Sequence, residues 1–151
     1  MGTILDTTVF VEIERATRSL PAARAMQAAG ERLQDRLGAD DEVAIAAITA
    51  SELLHGVHRA GEEHRARREA FVSAVLDAFP VFSFDLLVAR VHARLWAGLA
   101  SAGADVGAHD RIVAATAMAA GWRVGTANMR HFGRVPGLDA TLISLTDRTE
   151  G

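Results

Sequence analysis

At 151 residues, half of them hydrophobic and 23% charged, with only 3 prolines, the chain has the size and composition of one compact domain and excludes a disordered one. It has no cysteine, which excludes disulfides, thiolate metal sites and cysteine nucleophiles, and its net charge of −3 is not that of a domain held to nucleic acid by bulk positive charge. All 16 basic residues are Arg, so the phosphate lysine of a P-loop is absent. No basic leader or run of about 18 to 20 apolar residues occurs, and the expected setting is the cytoplasm with no membrane contact.

In chain order, Thr3 to Asp6 reads as a short apolar strand ending in a carboxylate. Thr7 to Arg15 follows as a helix capped by Asp6 or Thr7. Pro21 suits the first turn of a second helix, Ala22 to Leu37, which forms a hairpin with the first. After a polar turn at Asp40 to Glu42, the run Val43 to Ile48 suits a strand buried on both faces, and Thr49 or Ser51 is the expected cap of a helix carrying Glu52. Glu62 to Phe79 shows a helical apolar stripe of Phe71, Val72, Val75, Leu76 and Phe79, ended by Pro80. Val81 to Phe84 reads as a third strand, and Asp85 caps a helix through Leu99. Trp96 and Trp122 are expected as core anchors, because only 8 aromatic residues exist and a base-stacking platform has little material.

Gly103 to Gly107 then forms a loop delivering Asp110 to the start of a further helix. Its narrow small-residue face is Ile112, Val113, Thr116, Ala117 and Ala120, and Gly121 ends it. Arg123 to Thr126 and Leu142 to Leu145 complete the strands. Strand and helix alternate throughout. The expectation is therefore α/β: a three-layer α/β/α domain over 1–145, with a central, mostly parallel sheet of about five strands and a tail at 146–151. Ligand sites in such sheets lie beyond the carboxyl ends of the strands.

Asp6, Glu52 and Asp110 each stand where strand gives way to helix, at that carboxyl edge. Each alone is an ordinary helix-start acid; together they repel unless protons or a hard cation intervene. All-oxygen ligands select Mg²⁺ or Mn²⁺, ions suited to displacement at phosphorus. Glu52-Leu-Leu-His55 also matches half of a Glu-x-x-His di-iron motif, but the second copy and the all-helical frame are missing.

Four segments resemble the PIN-domain ribonucleases, in particular the VapC toxins of bacterial toxin-antitoxin pairs. They are Ile4-Leu-Asp6-Thr-Thr, Thr49-Ala-Ser-Glu52-Leu-Leu-His-Gly56, His109-Asp110-Arg-Ile-Val-Ala-Ala-Thr-Ala, and Thr126-Ala-Asn128-Met-Arg-His-Phe132 with Val135-Pro-Gly-Leu138. The resemblance implies a PIN-like fold and endonucleolytic cleavage of RNA. It also implies Asp6, Glu52 and Asp110 as catalytic ligands of Mg²⁺ or Mn²⁺, a small VapB-like antitoxin and a homodimer. Where many members carry a fourth acid, this chain has His131, leaving Thr126 and Asn128 as candidates for ordering a water or a phosphate oxygen. The apolar residues Val9, Phe10 and Ile13, with the hairpin after them, are the expected antitoxin groove. The alternative function is a degenerate PIN domain that binds RNA or protein without cutting.

Overall fold

The computed structural model describes residues 1–144. The expected tail, and Leu145 of the last expected strand, lie outside the described residues. The elements are β1 (Gly2–Leu5), α1 (Thr7–Ala16), α2 (Ala22–Leu37), β2 (Glu42–Ala46), α3 (Ala47–Arg59), α4 (Glu62–Ala78), β3 (Val81–Phe82), α5 (Leu86–Ser101), α6 (Ala108–Ala120), β4 (Arg123–Thr126) and β5 (Ala140–Leu142), with a 3₁₀ turn at Met129–His131. The strands form one sheet in the order β3-β2-β1-β4-β5, and every neighbouring pair is parallel. The order reverses direction between β1 and β4, and at such a point the two crossovers leave on opposite sides and open a crevice at the carboxyl edge.

Successive strand residues point to opposite faces, and here both faces are covered. Leu5 and Ile45 face a core made with Val9, Phe10 and Ile13 of α1, Leu33 of α2, Leu53 of α3 and Phe71 of α4. Ile4, Ala44 and Val124 face the other core, with Leu95 and Leu99 of α5 and Val113, Ala114 and Ala117 of α6. The result is the three-layer α/β/α arrangement. Gly125 in β4 is required by this packing, since a Cβ there would stand 2.4 Å from Ile143 Cδ1. Gly121 ends α6 in the left-handed region at φ 70°, where a residue without Cβ carries no steric cost. Among the described residues no helix is long and apolar enough to cross a membrane.

Several sequence expectations are corrected. β2 ends at Ala46, because β3 pairs only with Ile45 and Ala46 and the chain turns at once into α3. Ala46, not Thr49 or Ser51, is therefore the N-cap, and the Thr49 hydroxyl is buried without a partner inside the first turn. The edge strand β3 stops at Phe82, and β5 takes Ala140 to Leu142 because those residues pair with Val124 to Thr126. In α6, Val113 to Ala117 are all buried while Ala120 is exposed, because the helix is pressed between the sheet and α5 and so hides more than one narrow face. Val9, Phe10 and Ile13 are buried in the core, with Phe10 edge-on to Phe79 at 5.5 Å between ring centres; of the three, Phe10 also lines a cavity between α1, α3 and α4, and the hairpin after them lines a larger one. Trp122 does pack inward, 4.9 Å from Phe82. Trp96 does not: it is 54% exposed, because the buried side of α5 is Val88, Leu95 and Leu99 and one further residue rotates the side chain about 100° away.

Candidate active site

Asp6 follows the last residue of β1, and its amide donates to the carbonyl of Gly125 at 3.0 Å, so it sits at the switch point beside Thr126 of β4. The side chain is 3% exposed. Thr8 donates its hydroxyl to Oδ1 at 2.6 Å and Thr126 donates to Oδ2 at 2.9 Å, fixing the carboxylate from both sides. The two hydroxyls are themselves held: the Ala127 amide donates to Thr8 Oγ1 and the Asn128 amide to Thr126 Oγ1, each at 3.0 Å. Among the described residues no cationic side chain pairs with Asp6.

Glu52 lies on the second turn of α3, where Thr7 donates to its Oε1 at 2.7 Å and His109 Nδ1 stands 3.4 Å from its Oε2. Asp110 sits in the first turn of α6, half buried, with His131 Nδ1 3.4 Å from its Oδ2. A first-turn carboxylate meets the positive end of the helix, and α6 starts at the same edge at which β1 and β4 end.

Burial pushes the Asp6 carboxyl above its ordinary value; the hydrogen bonds from Thr8 and Thr126 oppose this, and the charge of Asp110 reinforces it. Burial likewise raises Asp110, the charge of His131 opposes, Glu52 raises further and His109 lowers. Asp110 thus feels both other acids and links them into one electrostatic group. The fold brings all three to one edge. As they stand, however, no three Asp, Glu or His side chains among the described residues are drawn close enough to enclose one ion. The donor set is oxygen-only at its acids and fits Mg²⁺ or Mn²⁺ by chemistry.

Thr126 is already committed to Asp6 as a positioning residue. Asn128 is engaged in its own loop, accepting from the Arg130 amide at 3.2 Å and meeting His131 Nε2 through Nδ2 at 3.1 Å. Sequence reasoning missed the roles of Thr7 and Thr8 as carboxylate holders. The adjacent hydroxyls after Asp6 were the available signal, since short polar side chains at a helix start reach nearby carboxylates. The His109 ring, though exposed, turns to Glu52.

An α/β domain with a carboxylate group at the switch point of a parallel sheet is the class these observations define. The sequence profile of the PIN domain matches residues 3–138, and the chain belongs to the PIN-domain family. Over 148 residues it is 28% identical to Ribonuclease VapC1 of Rickettsia felis, covering 97% of this chain and 100% of that protein. It is 32% identical over 111 residues to the tRNA(fMet)-specific endonuclease VapC of Salmonella typhimurium, covering 72% of this chain and 81% of that one. Among solved structures it is similar to DNA-bound VapBC from Salmonella typhimurium, with TM-score 0.76 and 26% identity over 95% of this chain and 99% of the other. VapBC-5 of Mycobacterium tuberculosis, a member of the VapBC family of toxin-antitoxin systems, gives TM-score 0.69 and 27% identity over 95% and 98%.

Proposed function

We propose that the chain is the toxin of a VapBC-type pair, an endoribonuclease that hydrolyses RNA phosphodiester bonds at Asp6, Glu52 and Asp110 with Mg²⁺ or Mn²⁺. The observation that carries the site is Asp6: a carboxylate buried at the switch point, gripped by two hydroxyls, given no cation by the described residues and electrostatically joined to Asp110. A buried anion left in that state is costly, and a divalent ion between the acids relieves it. Asp6, Glu52 and Asp110 would hold such an ion, which would supply Lewis-acid chemistry for displacement at phosphorus. Thr8 and Thr126 hold Asp6 in one orientation, Thr7 does the same for Glu52, and the helix start favours the ionised form of Asp110. His109 Nδ1 stands 3.4 Å from Glu52 Oε2 and His131 Nδ1 3.4 Å from Asp110 Oδ2.

The partners of this reading are an RNA substrate, a cognate VapB-like antitoxin and a second copy of the chain. A groove of about 460 Å³ runs between the α1–α2 hairpin and α4, lined by Glu14, Arg18, Leu20, His64, Arg67 and Phe71. A smaller cavity shares Glu14, Arg18 and Phe71 with it and reaches Thr7 and Glu52. This path, rather than the buried face of α1, is where an antitoxin segment would lie and approach the acids.

The second reading, a PIN domain that binds without cutting, is favoured by one observation: His131, at the position where the resemblance implies a fourth acid, stands 3.4 Å from Asp110. One experiment decides between them. Total RNA is incubated with the purified chain and Mg²⁺ or Mn²⁺, and cut sites are mapped, with Asp6→Asn, Asp110→Asn and chelator as controls. Metal-dependent cuts that the two variants lose by about 100-fold or more are expected. Equal cutting by parent and variants, or none by any, sinks the catalytic assignment.

A further inference from the structure

We propose that Trp96 is a stacking platform for an unpaired base of the RNA substrate, placed beside the acidic site; the inference rests on the ribonuclease reading above. The chain has 2 Trp, 6 Phe and no Tyr, yet it leaves this indole 54% exposed. A large flat apolar ring held in solvent is the feature that single-strand binding sites use, because every base has a π face and stacks without regard to sequence.

The ring is also braced. The Arg111 guanidinium lies 5.0 Å from the indole centre, within cation–π range, and Arg111 is itself anchored by donating from one terminal nitrogen to the carbonyl of Val106 at 2.7 Å. His92 stands 5.8 Å behind on the same helix, and Phe84 a further 5.8 Å beyond it. With the guanidinium over the ring and 54% of the residue exposed, the indole is held and still largely open to solvent. Pre-fixing it removes part of the ordering cost of binding.

Its position ties the platform to the chemistry. Trp96 meets Arg111, the residue after Asp110, in the first turn of α6. The indole therefore lies against the same end of α6 that carries Asp110, and the Arg111 charge there offsets the negative field of the carboxylates for an incoming polyanion. The exposed Leu86 and Leu87 of α5 lie about 14 Å away along the helix axis, while the exposed Phe84 is joined to Trp96 through His92.

The test uses the full chain with Asp6→Asn to prevent cutting and Trp122→Phe to leave Trp96 as the sole indole. A fluorescein-labelled, mixed-sequence single-stranded RNA is titrated by polarisation, and its unlabelled form by indole emission. Quenching of Trp96 that saturates at the same midpoint as polarisation is expected. In the otherwise unaltered chain, Trp96→Ala should raise KM for RNA cleavage by about tenfold with kcat within about twofold, and Trp96→Phe should recover most of the loss. RNA binding without quenching, or a Trp96→Ala variant that changes only its oligomeric size, overturns the platform and leaves the ribonuclease reading intact. Absence of both binding and cleavage in the parent removes the ribonuclease reading and the platform with it.

Discussion

The paired strands β1 and β4 meet an acid at each end, Asp41 of the turn before β2 at one and Asp6 at the other, and the two ends treat it in opposite ways. At the amino edge, Arg123 donates to Asp41 Oδ2 at 2.8 Å and to Thr3 Oγ1 at 3.0 Å, Thr3 donates to the same Asp41 oxygen at 2.9 Å, and the N-terminal ammonium lies 3.7 Å from Oδ1. At the carboxyl edge, Asp6 receives two threonine hydroxyls and no cation from the described residues, with Asp110 near enough to repel it. The pKa directions follow. Burial opposes ionisation of Asp41, but the hydrogen bonds from Arg123 and Thr3 and the Arg123 charge outweigh it and hold the carboxyl below its ordinary value. At Asp6 burial wins and the carboxyl rises. The same two strands thus end in one electrostatically closed cluster and one that still lacks positive charge. On the function proposed above, the first serves stability and the second a ligand.

That contrast can be broken by exchanging what each end loses. The largest expected effect is catalytic: Asp110→Asn and Asp6→Asn should each remove about 100-fold or more of metal-dependent RNA cleavage while the folded fraction, followed by circular dichroism, is unchanged. Arg123→Met should do the reverse. It leaves Asp41, with 7% side-chain exposure, without its guanidinium, which should cost about 2 kcal/mol and lower Tm by about 4–8 °C, with the cleavage rate of the folded protein retained. If Arg123→Met spared stability and lost cleavage, the two ends would not be divided as described. Next in size is metal linkage: Mg²⁺ or Mn²⁺ at about tenfold its Kd should raise the parent Tm by about 3–6 °C, and Asp6→Asn should abolish most of that rise. An equal rise in the variant would place the ion elsewhere.

Much of this division was legible in the residues. Alternation of apolar runs with helical stripes led to a parallel sheet with both faces covered, and the placement of Asp6, Glu52 and Asp110 at helix starts put all three at the carboxyl edge, because in such a sheet helix starts and strand ends share that edge. The amino-edge cluster was not legible. Asp41 read as part of a solvated turn, since its pairing with Arg123 spans 82 positions and exists only once β1 lies between β2 and β4. Trp96 was misplaced for a related reason. Composition says that a scarce indole belongs inside, whereas the angular position of a single helix residue, set by Val88, Leu95 and Leu99, turns it out. Thr7 was visible as a residue but not as a carboxylate holder, because its partner Glu52 arrives from a distant helix, whereas Thr8 holds Asp6 only two residues away and its signal was local. Val9, Phe10 and Ile13 fitted an apolar stripe equally well as core or as groove, and only the layer of α2 and α4 packed over them decides for the core.

The smallest effect is the sharpest test of sign. Asp41 has a folded-state pKa below its unfolded value, so its contribution is present above the ordinary carboxylate range and is lost as pH falls through the folded pKa. Asp6 and Asp110 have folded-state values above theirs, so in metal-free buffer their contribution is complete below the ordinary range and is lost as pH rises through the folded values toward neutrality. Asp6→Asn, neutral at every pH, escapes that loss. Measured by urea unfolding with chelator present, the stability of Asp6→Asn minus that of the parent should therefore grow as pH rises from about 4 to 7. Arg123→Met should instead differ most from the parent at neutral pH and converge with it in acid. Saturating Mg²⁺ should reverse the slope for Asp6 alone, because the ion stabilises the ionised carboxylate that the folded protein otherwise disfavours. A metal-free difference that shrank with rising pH would mean that the hydroxyls of Thr8 and Thr126 satisfy Asp6 fully, and that the carboxyl edge is as closed as the amino edge.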